Sequence, residues 1–131
     1  MTLKTLFIPF SFVALIMATG CSEEKKQDKL TLANPASKNC VEKGGELEMA
    51  KRGDGGQYGI CYFEDNRQCE EWALMRGKCP VGGIKITGYT TPEGVYCAIT
   101  GGNPENNETQ CKLPSGKTCE AQKYYDGTCS K

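Results

Sequence analysis

The chain has 131 residues, with 16 basic and 16 acidic side chains, nine cysteines and no histidine. The length allows one ordinary domain or two very small ones, and the balanced charge without a basic stripe argues against a nucleic-acid partner. Because histidine is absent, the chain lacks the commonest general base and metal ligand, and it cannot form a Ser-His or Cys-His nucleophile.

The N-terminus has the pattern of a bacterial secretory signal. An apolar run over residues 6–18 follows a lysine, and Thr19 and Gly20 stand directly before Cys21. The run is too short for a stable membrane span, and its end resembles the lipobox of bacterial lipoproteins. We therefore predict a lipoprotein signal peptide at residues 1–20 and acylation of Cys21, palmitate included. Ordinary signal cleavage with a spare thiol is the alternative.

The residues after Cys21 indicate where in the cell the protein is located. Residues 22–33 are charged and poor in aromatic side chains, so we predict a lipidated cysteine and flexible tether over residues 21–33. Several acyl chains together anchor a protein firmly, which makes the membrane the first predicted partner. Ser22 stands where enterobacterial lipoproteins retained in the inner membrane have Asp, and by this analogy we predict the outer membrane of a bacterial cell envelope.

The remaining eight cysteines fall into two sets of four, and the last three cysteines of each set are separated by the same two intervals. The sets are Cys40, Cys61, Cys69 and Cys79, and then Cys97, Cys111, Cys119 and Cys129. In both, a proline stands five residues before the first cysteine and a Gly-Gly pair begins four residues after it. The chain therefore repeats one unit. We predict four-cysteine modules at residues 34–80 and 91–131, joined by a linker at 81–90.

Each unit begins with the signals of a short helix. Asn34 is a good N-cap, the following proline suits the first helical position, and Gly44 can end the helix in a left-handed cap. These signals predict a helix over residues 35–43. Thr91 and Pro92 begin the second copy in the same way.

Two strands and a second helix should complete the unit. In the first unit, residues 46–50 and 57–63 have the composition of strands, and the glycine-rich residues 51–56 separate them. Residues 69–77 are predicted to form a closing helix. Turns are predicted at 65–66 and 114–116. The predicted order is helix, hairpin, helix, twice: an α+β fold of small disulfide-rich modules in tandem.

Units of about 40 residues rarely bury enough apolar surface to fold without disulfides or a metal. An exported chain meets an oxidising environment, and no Cys-x-x-Cys occurs, so we predict disulfides rather than zinc or an iron–sulfur cluster. The matching intervals place the bridges within units. Four cysteines allow three pairings, which the sequence leaves open.

The first unit has four large side chains that we expect to form its whole core, with the lining of a pocket as the alternative: Tyr58, Phe63, Trp72 and Met75. Its two consecutive acids, Glu70 and Glu71, lie in the first turn of the predicted closing helix. We interpret them as favourable to the helix dipole rather than as an acid/base pair.

Three stretches of the first unit carry a family resemblance: NPASKNCVEKGG, GGQYGICYF and CEEWALMRGKC. They resemble the domain of unknown function 333 family, whose members often carry a hemolysin label. The resemblance covers residues 34–79, whereas the second unit is similar to a diverged copy, with Gln122 where the first has Trp72. It implies an envelope protein, secreted or lipid-anchored, and brings no catalytic residues. No membrane-crossing segment follows Cys21, so pore formation is not predicted.

We therefore predict a noncatalytic, lipid-anchored envelope module that binds a protein or glycan, with a peptidase inhibitor on a disulfide scaffold as the alternative. An enzyme ranks third, and no cofactor or metal is predicted. The candidate binding residues are Arg52, Asp54 and Tyr58. They lie in or beside the loop that makes the segment between the first two cysteines seven residues longer than in the second unit. We assign this extra length no scaffold role; the alternative is a longer hairpin that matters only to its own strands.

Overall fold

Each half of the chain folds as a helix, a small antiparallel sheet and a second helix in the computed structural model, which describes residues 34–130. This arrangement confirms the predicted α+β fold class, and four disulfides hold it together. Within the described range, no helix is long and apolar enough to cross a membrane. The predicted signal peptide, acylated Cys21 and tether lie outside the described residues.

The first unit is built around a four-stranded sheet. Its elements are α1 (Pro35–Glu42), β1 (Glu46–Lys51), β2 (Gln57–Phe63), a 3-10 turn (Glu64–Asn66), β3 (Arg67–Glu70), α2 (Glu71–Met75) and β4 (Ile84–Lys85). The strands lie in the order β1-β2-β3-β4, and every neighbouring pair is antiparallel.

The second unit repeats this plan with three shorter strands. Its elements are α3 (Pro92–Ile99), β5 (Asn103–Glu105), β6 (Gln110–Lys112), β7 (Thr118–Glu120) and α4 (Ala121–Tyr125). The strands lie in the order β5-β6-β7, and both pairs are antiparallel.

Helices α1 and α3 begin at the predicted caps. The side-chain oxygen of Asn34 accepts a hydrogen bond from the backbone N–H of Ala36 at 2.9 Å, and the Thr91 hydroxyl accepts one from Gly94 at 3.0 Å. The glycine that follows each helix, Gly44 or Gly101, has a φ of 84° or 92°, a left-handed conformation that glycine adopts without strain.

The structure differs from the predicted elements in two places. The closing helix of the first unit begins at Glu71 rather than Cys69, because residues 67–70 pair with β2 as a third strand. The Glu70 carboxylate then caps α2 by accepting from the backbone N–H of the next two residues. The segment predicted as a linker, residues 81–90, contributes β4 to the first sheet.

Cystines form the centre of each unit. Disulfides join the first cysteine to the second and the third to the fourth: Cys40–Cys61, Cys69–Cys79, Cys97–Cys111 and Cys119–Cys129. All four bridges lie within a unit. Strand register explains how they pack, because Cys61 lies opposite Cys69 across β2 and β3, and Cys111 lies opposite Cys119 across β6 and β7. The two cystines of a unit therefore share one core.

The predicted aromatic core of the first unit is wrong. The buried cluster consists of its four cysteines with Leu47, Ala73 and Leu74. Of the four predicted core residues, Phe63 is partly buried and does pack against this cluster, whereas Met75 is 46% exposed. Tyr58 and Trp72 lie on the side that faces the second unit. Sulfur atoms fill the space that we assigned to rings, because a unit this small has room for little else.

Carboxylates hold the first turns of α1 and α3 in two different ways. In the first unit, Glu71 is 3% exposed and accepts hydrogen bonds from the Ser37 hydroxyl at 2.5 Å and the Asn34 amide at 3.2 Å. The equivalent positions in the second unit are Gly94 and Ala121, so both members of the Ser37–Glu71 pair have been replaced together.

In the second unit, Glu108 holds the first turn of α3. This residue lies in the turn between β5 and β6. Its carboxylate accepts from the backbone N–H groups of Thr90 and Thr91, both at 2.8 Å, and from both hydroxyls. Hydrogen bonding, first from the Thr91 hydroxyl and then from the Thr90 backbone, lowers the pKa of Glu108 to about 2. A Cβ atom at Gly94 would collide with this carboxylate, which explains the glycine there.

Candidate functional site

The loop predicted to bind a partner packs against the second unit. The Tyr125 hydroxyl donates a hydrogen bond to the Lys51 carbonyl at 3.2 Å. A Cβ atom at Gly53 would collide with the Asp126 carboxylate, and one at Gly127 would lie 2.7 Å from an Asp54 oxygen. The prediction that the extra loop length has no scaffold role is therefore wrong, since the loop builds the contact between the units.

Arg52 and Asp54 form a fixed pair within this contact. Arg52 Nη2 donates to Asp54 Oδ2 at 3.1 Å, and Asp54 Oδ1 accepts from the backbone N–H of Gly56 at 2.8 Å. Hydrogen bonding to Tyr96 is the largest cause that raises the pKa of Arg52, and the charge of Asp54 adds to it. The Arg-Gly-Asp tripeptide is thus committed to contacts inside the molecule, although the buried Arg52 Nε atom has no hydrogen-bond partner.

Tyr58 joins a cluster of tyrosines that belongs mostly to the second unit. Its ring meets the edge of Tyr96 at a centroid distance of 5.1 Å. Tyr96 also lies 5.3 Å from Tyr124 and 5.4 Å from Tyr125. These separations are those of favourable aromatic pairs. The first unit therefore completes the core of the second, and the two units form one packed body.

A cleft of about 480 Å³ opens between the units beside this cluster. Its volume is within the usual range for ligand sites. Four aromatic side chains line it, together with two arginines and two glutamates: Tyr58, Trp72, Tyr96, Tyr124, Arg52, Arg76, Glu70 and Glu71. Both units contribute, so neither has this cleft by itself.

The tyrosines of the cleft stay protonated at ordinary pH. Burial raises the pKa of Tyr58 to about 12, and burial also raises the pKa values of Tyr96 and Tyr124. The Tyr124 hydroxyl donates to Thr100 Oγ1 at 3.1 Å, and Thr100 in turn donates to main-chain carbonyls of α3. The cleft wall is therefore a set of neutral phenols on a rigid support.

Trp72 stands at the junction of the units. It is the second residue of α2, and the Arg76 guanidinium lies over its ring at 5.3 Å from the centroid. Because α2 presents both side chains one turn apart, the cation and the ring are held together at the cleft.

Two of the three predicted binding residues lie in the cleft, and the third lies outside it. Arg52 and Tyr58 line the cleft, whereas Asp54 orients Arg52 from outside its wall. Our sequence reasoning missed Tyr96, Tyr124 and Arg76. No local pattern marks these residues, because their roles depend on how two distant parts of the chain meet. That any of them binds a partner stays a prediction.

The two glutamates of the cleft are held by the scaffold. Glu70 caps α2 through its two oxygens, at 3.1 Å and 2.8 Å from the backbone nitrogens of Trp72 and Ala73. Glu71 accepts from Ser37 and Asn34. The cleft thus offers stacking surfaces, hydrogen-bond donors and fixed acceptors, which are the means of binding a polar ligand.

Comparison with known proteins identifies the first unit. The family Domain of unknown function (DUF333) matches residues 31–78. The uncharacterized protein YoaF of Escherichia coli (strain K12) is 34% identical over 80 residues, which cover 57% of this chain and 94% of YoaF. The uncharacterized protein YdbJ of the same strain is 28% identical over 76 residues, covering 50% of this chain and 86% of YdbJ. No solved structure matches.

The coverage values also show what this chain adds. The match takes in nearly all of YoaF but little more than half of this chain, so YoaF has no room for a further unit of the size of residues 91–131. The second unit, and with it one wall of the cleft, is an addition relative to such proteins. The chain belongs to the DUF333 family.

Proposed function

We propose that the protein is a noncatalytic, lipid-anchored protein of the bacterial envelope that binds a glycan in the cleft between its units. The observation that carries the proposal is the composition of the cleft wall. Rings that can stack stand beside cationic donors and anionic acceptors in equal number.

A sugar matches such a wall in two respects. Its C–H faces stack on aromatic rings, and its hydroxyl groups both donate and accept hydrogen bonds. In the cleft, Trp72 and Tyr58 supply the rings, Arg52 and Arg76 the donors, and Glu70 an acceptor. A folded protein partner is less well supported, because a specific protein interface buries about 800 Å² on each side, which requires a broad surface rather than a concave cleft.

The alternative function, peptidase inhibition, has less support than glycan binding. An inhibitor of this kind presents an exposed, preorganised loop to the protease. The natural candidate is the loop between β1 and β2, and its Arg52 is engaged by Asp54 and Tyr96 while its backbone meets α4. The loop is thus part of the contact between the units.

Replacing Trp72 with alanine is expected to weaken binding of a cognate oligosaccharide by at least about tenfold, equivalent to about 1.4 kcal/mol of lost stacking. Trp72 is the only tryptophan in the chain, so its fluorescence reports directly on the cleft. A panel of bacterial envelope oligosaccharides is titrated by fluorescence, and the affinity of Trp72→Ala is then measured by calorimetry.

The matched control is Met75→Ala, on the same helix but exposed and outside the cleft. Its affinity should equal that of the parent protein. If no member of the panel binds, or if Trp72→Ala binds as well as Met75→Ala, glycan binding in this cleft is wrong.

The lipid anchor is the second part of the proposal, and its support is the sequence around Cys21. Replacing Cys21 with alanine should release the protein from the membrane fraction, because the acyl chains supply its membrane affinity. Fractionation with mass analysis of the N-terminal peptide checks this. Unchanged membrane retention, with no acyl mass on that peptide, would contradict the anchor.

A further inference from the structure

A second and smaller cavity adjoins the cleft on the far side of Arg76. Its volume is about 280 Å³, and it shares Arg76 and Thr100 with the cleft. Its other walls come from both units: Ala73, Lys78, Pro114 and Ser115. Arg76 and Thr100 therefore face both spaces, so one ligand that spans them would contact both residues.

The charge of the second cavity is one-sided. Arg76 and Lys78 line it, and no Asp or Glu does. Neither cation forms an ion pair with another described residue. The Arg76 guanidinium lies over the Trp72 ring. Two unpaired cations in one concavity, with two hydroxyl groups beside them, form a site that favours an anion.

The cleft itself is mixed in charge, although it shares Arg76 with the second cavity. Arg52 is neutralised there by Asp54, and Glu70 and Glu71 stand in the same wall. These carboxylates oppose an anion in the cleft, whereas the second cavity offers it two cations that form no ion pair with another residue of the described range 34–130. The two neighbouring spaces thus select different parts of one ligand.

Both cations are attached to fixed backbone. The backbone N–H of Lys78 donates a hydrogen bond to the Ala73 carbonyl at 2.8 Å. The second unit packs closely on this backbone, because a Cβ atom at Gly101 would lie 2.5 Å from the Lys78 carbonyl oxygen. The contact between the units therefore sets the place of Lys78, and Trp72 sets that of Arg76.

The remaining walls indicate what carries the anion. Ala73 and Pro114 are apolar, and Thr100 and Ser115 add hydroxyl groups. A bare inorganic ion would leave the apolar surface unused, whereas an acidic group on a carbon framework contacts both kinds of wall. We propose that the ligand is an acidic glycan, whose sugar ring lies in the cleft against Trp72 and whose carboxylate or phosphate binds Arg76 and Lys78. This inference rests on the proposed glycan-binding function.

The test compares a hexuronic-acid oligosaccharide, its carboxyl-reduced neutral counterpart and a phosphorylated oligosaccharide of equal length, titrated into the mature protein at low salt. The better of the two acidic ligands should bind at least about tenfold more tightly than the neutral one, and this preference should shrink as salt rises. Which acidic ligand binds better distinguishes a carboxylate site from a phosphate site.

Lys78→Gln is the decisive variant, because Lys78 lines the second cavity and not the cleft. It should lower affinity for the acidic ligand several-fold and leave affinity for the neutral ligand unchanged. Lys85→Gln is the matched control: it removes the same charge from an exposed position that lines neither cavity, and it should bind as the parent protein does.

The outcomes separate the two proposals. Equal affinity for acidic and neutral ligands, or an acidic preference that Lys78→Gln retains, overturns the inference and leaves glycan binding in place. Failure of all three saccharides to bind overturns the inference together with glycan binding. Acidic preference that is lost in Lys78→Gln and kept in Lys85→Gln supports it.

Discussion

Replacing Cys40 and Cys61 together with alanine is expected to lower the free energy of unfolding of the first unit by about 3 kcal/mol. The bridge closes a loop with a sequence separation of 21 residues, so its main effect is to restrict the unfolded chain. Both cysteines are also fully buried at the centre of the cluster, and the bridge ties α1 to β2. Because small domains have only about 5 kcal/mol of stability to lose, the unit should be largely unfolded when warmed.

Denaturant unfolding followed by Trp72 fluorescence measures this loss, with peptide mapping to confirm that the other three bridges remain. The matched control is the double replacement of Cys69 and Cys79, whose bridge spans 10 residues in the same core. The shorter loop should cost about 0.5 kcal/mol less. A loss below about 1 kcal/mol for the Cys40–Cys61 pair would mean that sheet and helix packing, rather than the bridge, hold the unit together.

Features that depend on near neighbours could be predicted from the sequence. The caps at Asn34 and Thr91, the prolines after them and the closing glycines act within a single turn of helix. The strands β1 and β2 likewise follow from their composition and the glycines between them. The cysteine intervals add a longer-range constraint, because a unit that repeats its own cysteines can pair them internally.

Features that depend on register or on distant contacts could not be predicted. β3 is a strand of four residues, Arg67–Glu70, and only its pairing with β2 distinguishes it from the start of α2. The choice among three disulfide pairings also requires the register that places Cys61 opposite Cys69. Local composition indicates neither the strand β3 nor the disulfide pairing.

The candidate site also combines residues that the sequence indicated with residues whose place depends on distant contacts. Tyr58 was found through the longer loop of the first unit, but its main contact, Tyr96, is 38 positions further along the chain. Trp72 was assigned to a core because large rings are usually buried, and here the cystines occupy that place. One signal could have been used: the two copies differ together at Ser37 and Glu71, which marks a contact that the second unit has replaced.

Truncating Tyr96 to alanine is expected to cost about 3 to 5 kcal/mol, because its ring is the centre of the contact between the units. It is 8% exposed, and three other tyrosine rings lie within 5.4 Å of it, one of them from the first unit. Its loss leaves a cavity that the rigid helices cannot close. It also removes the hydroxyl group that is the largest cause of the raised pKa of Arg52.

Tyr96→Phe provides the matched comparison, because it keeps the ring and removes only the hydroxyl beside Arg52. That variant should lose about 1 kcal/mol, the usual value of one hydrogen bond. Amide signals from both units, followed by NMR during urea unfolding, measure the coupling between them. In the parent protein and in Tyr96→Phe, signals from β2 and from β6 should disappear in one coincident transition.

In Tyr96→Ala the two sets of signals should separate, since each unit then depends on its own two disulfides and little else. Affinity for the oligosaccharide should fall as well, because the cleft requires both walls. A single coincident transition in Tyr96→Ala, with a loss below about 1 kcal/mol, would contradict a tyrosine-centred contact. Separate transitions already present in the parent protein would mean that the units fold independently and that the cleft between them is not a fixed site.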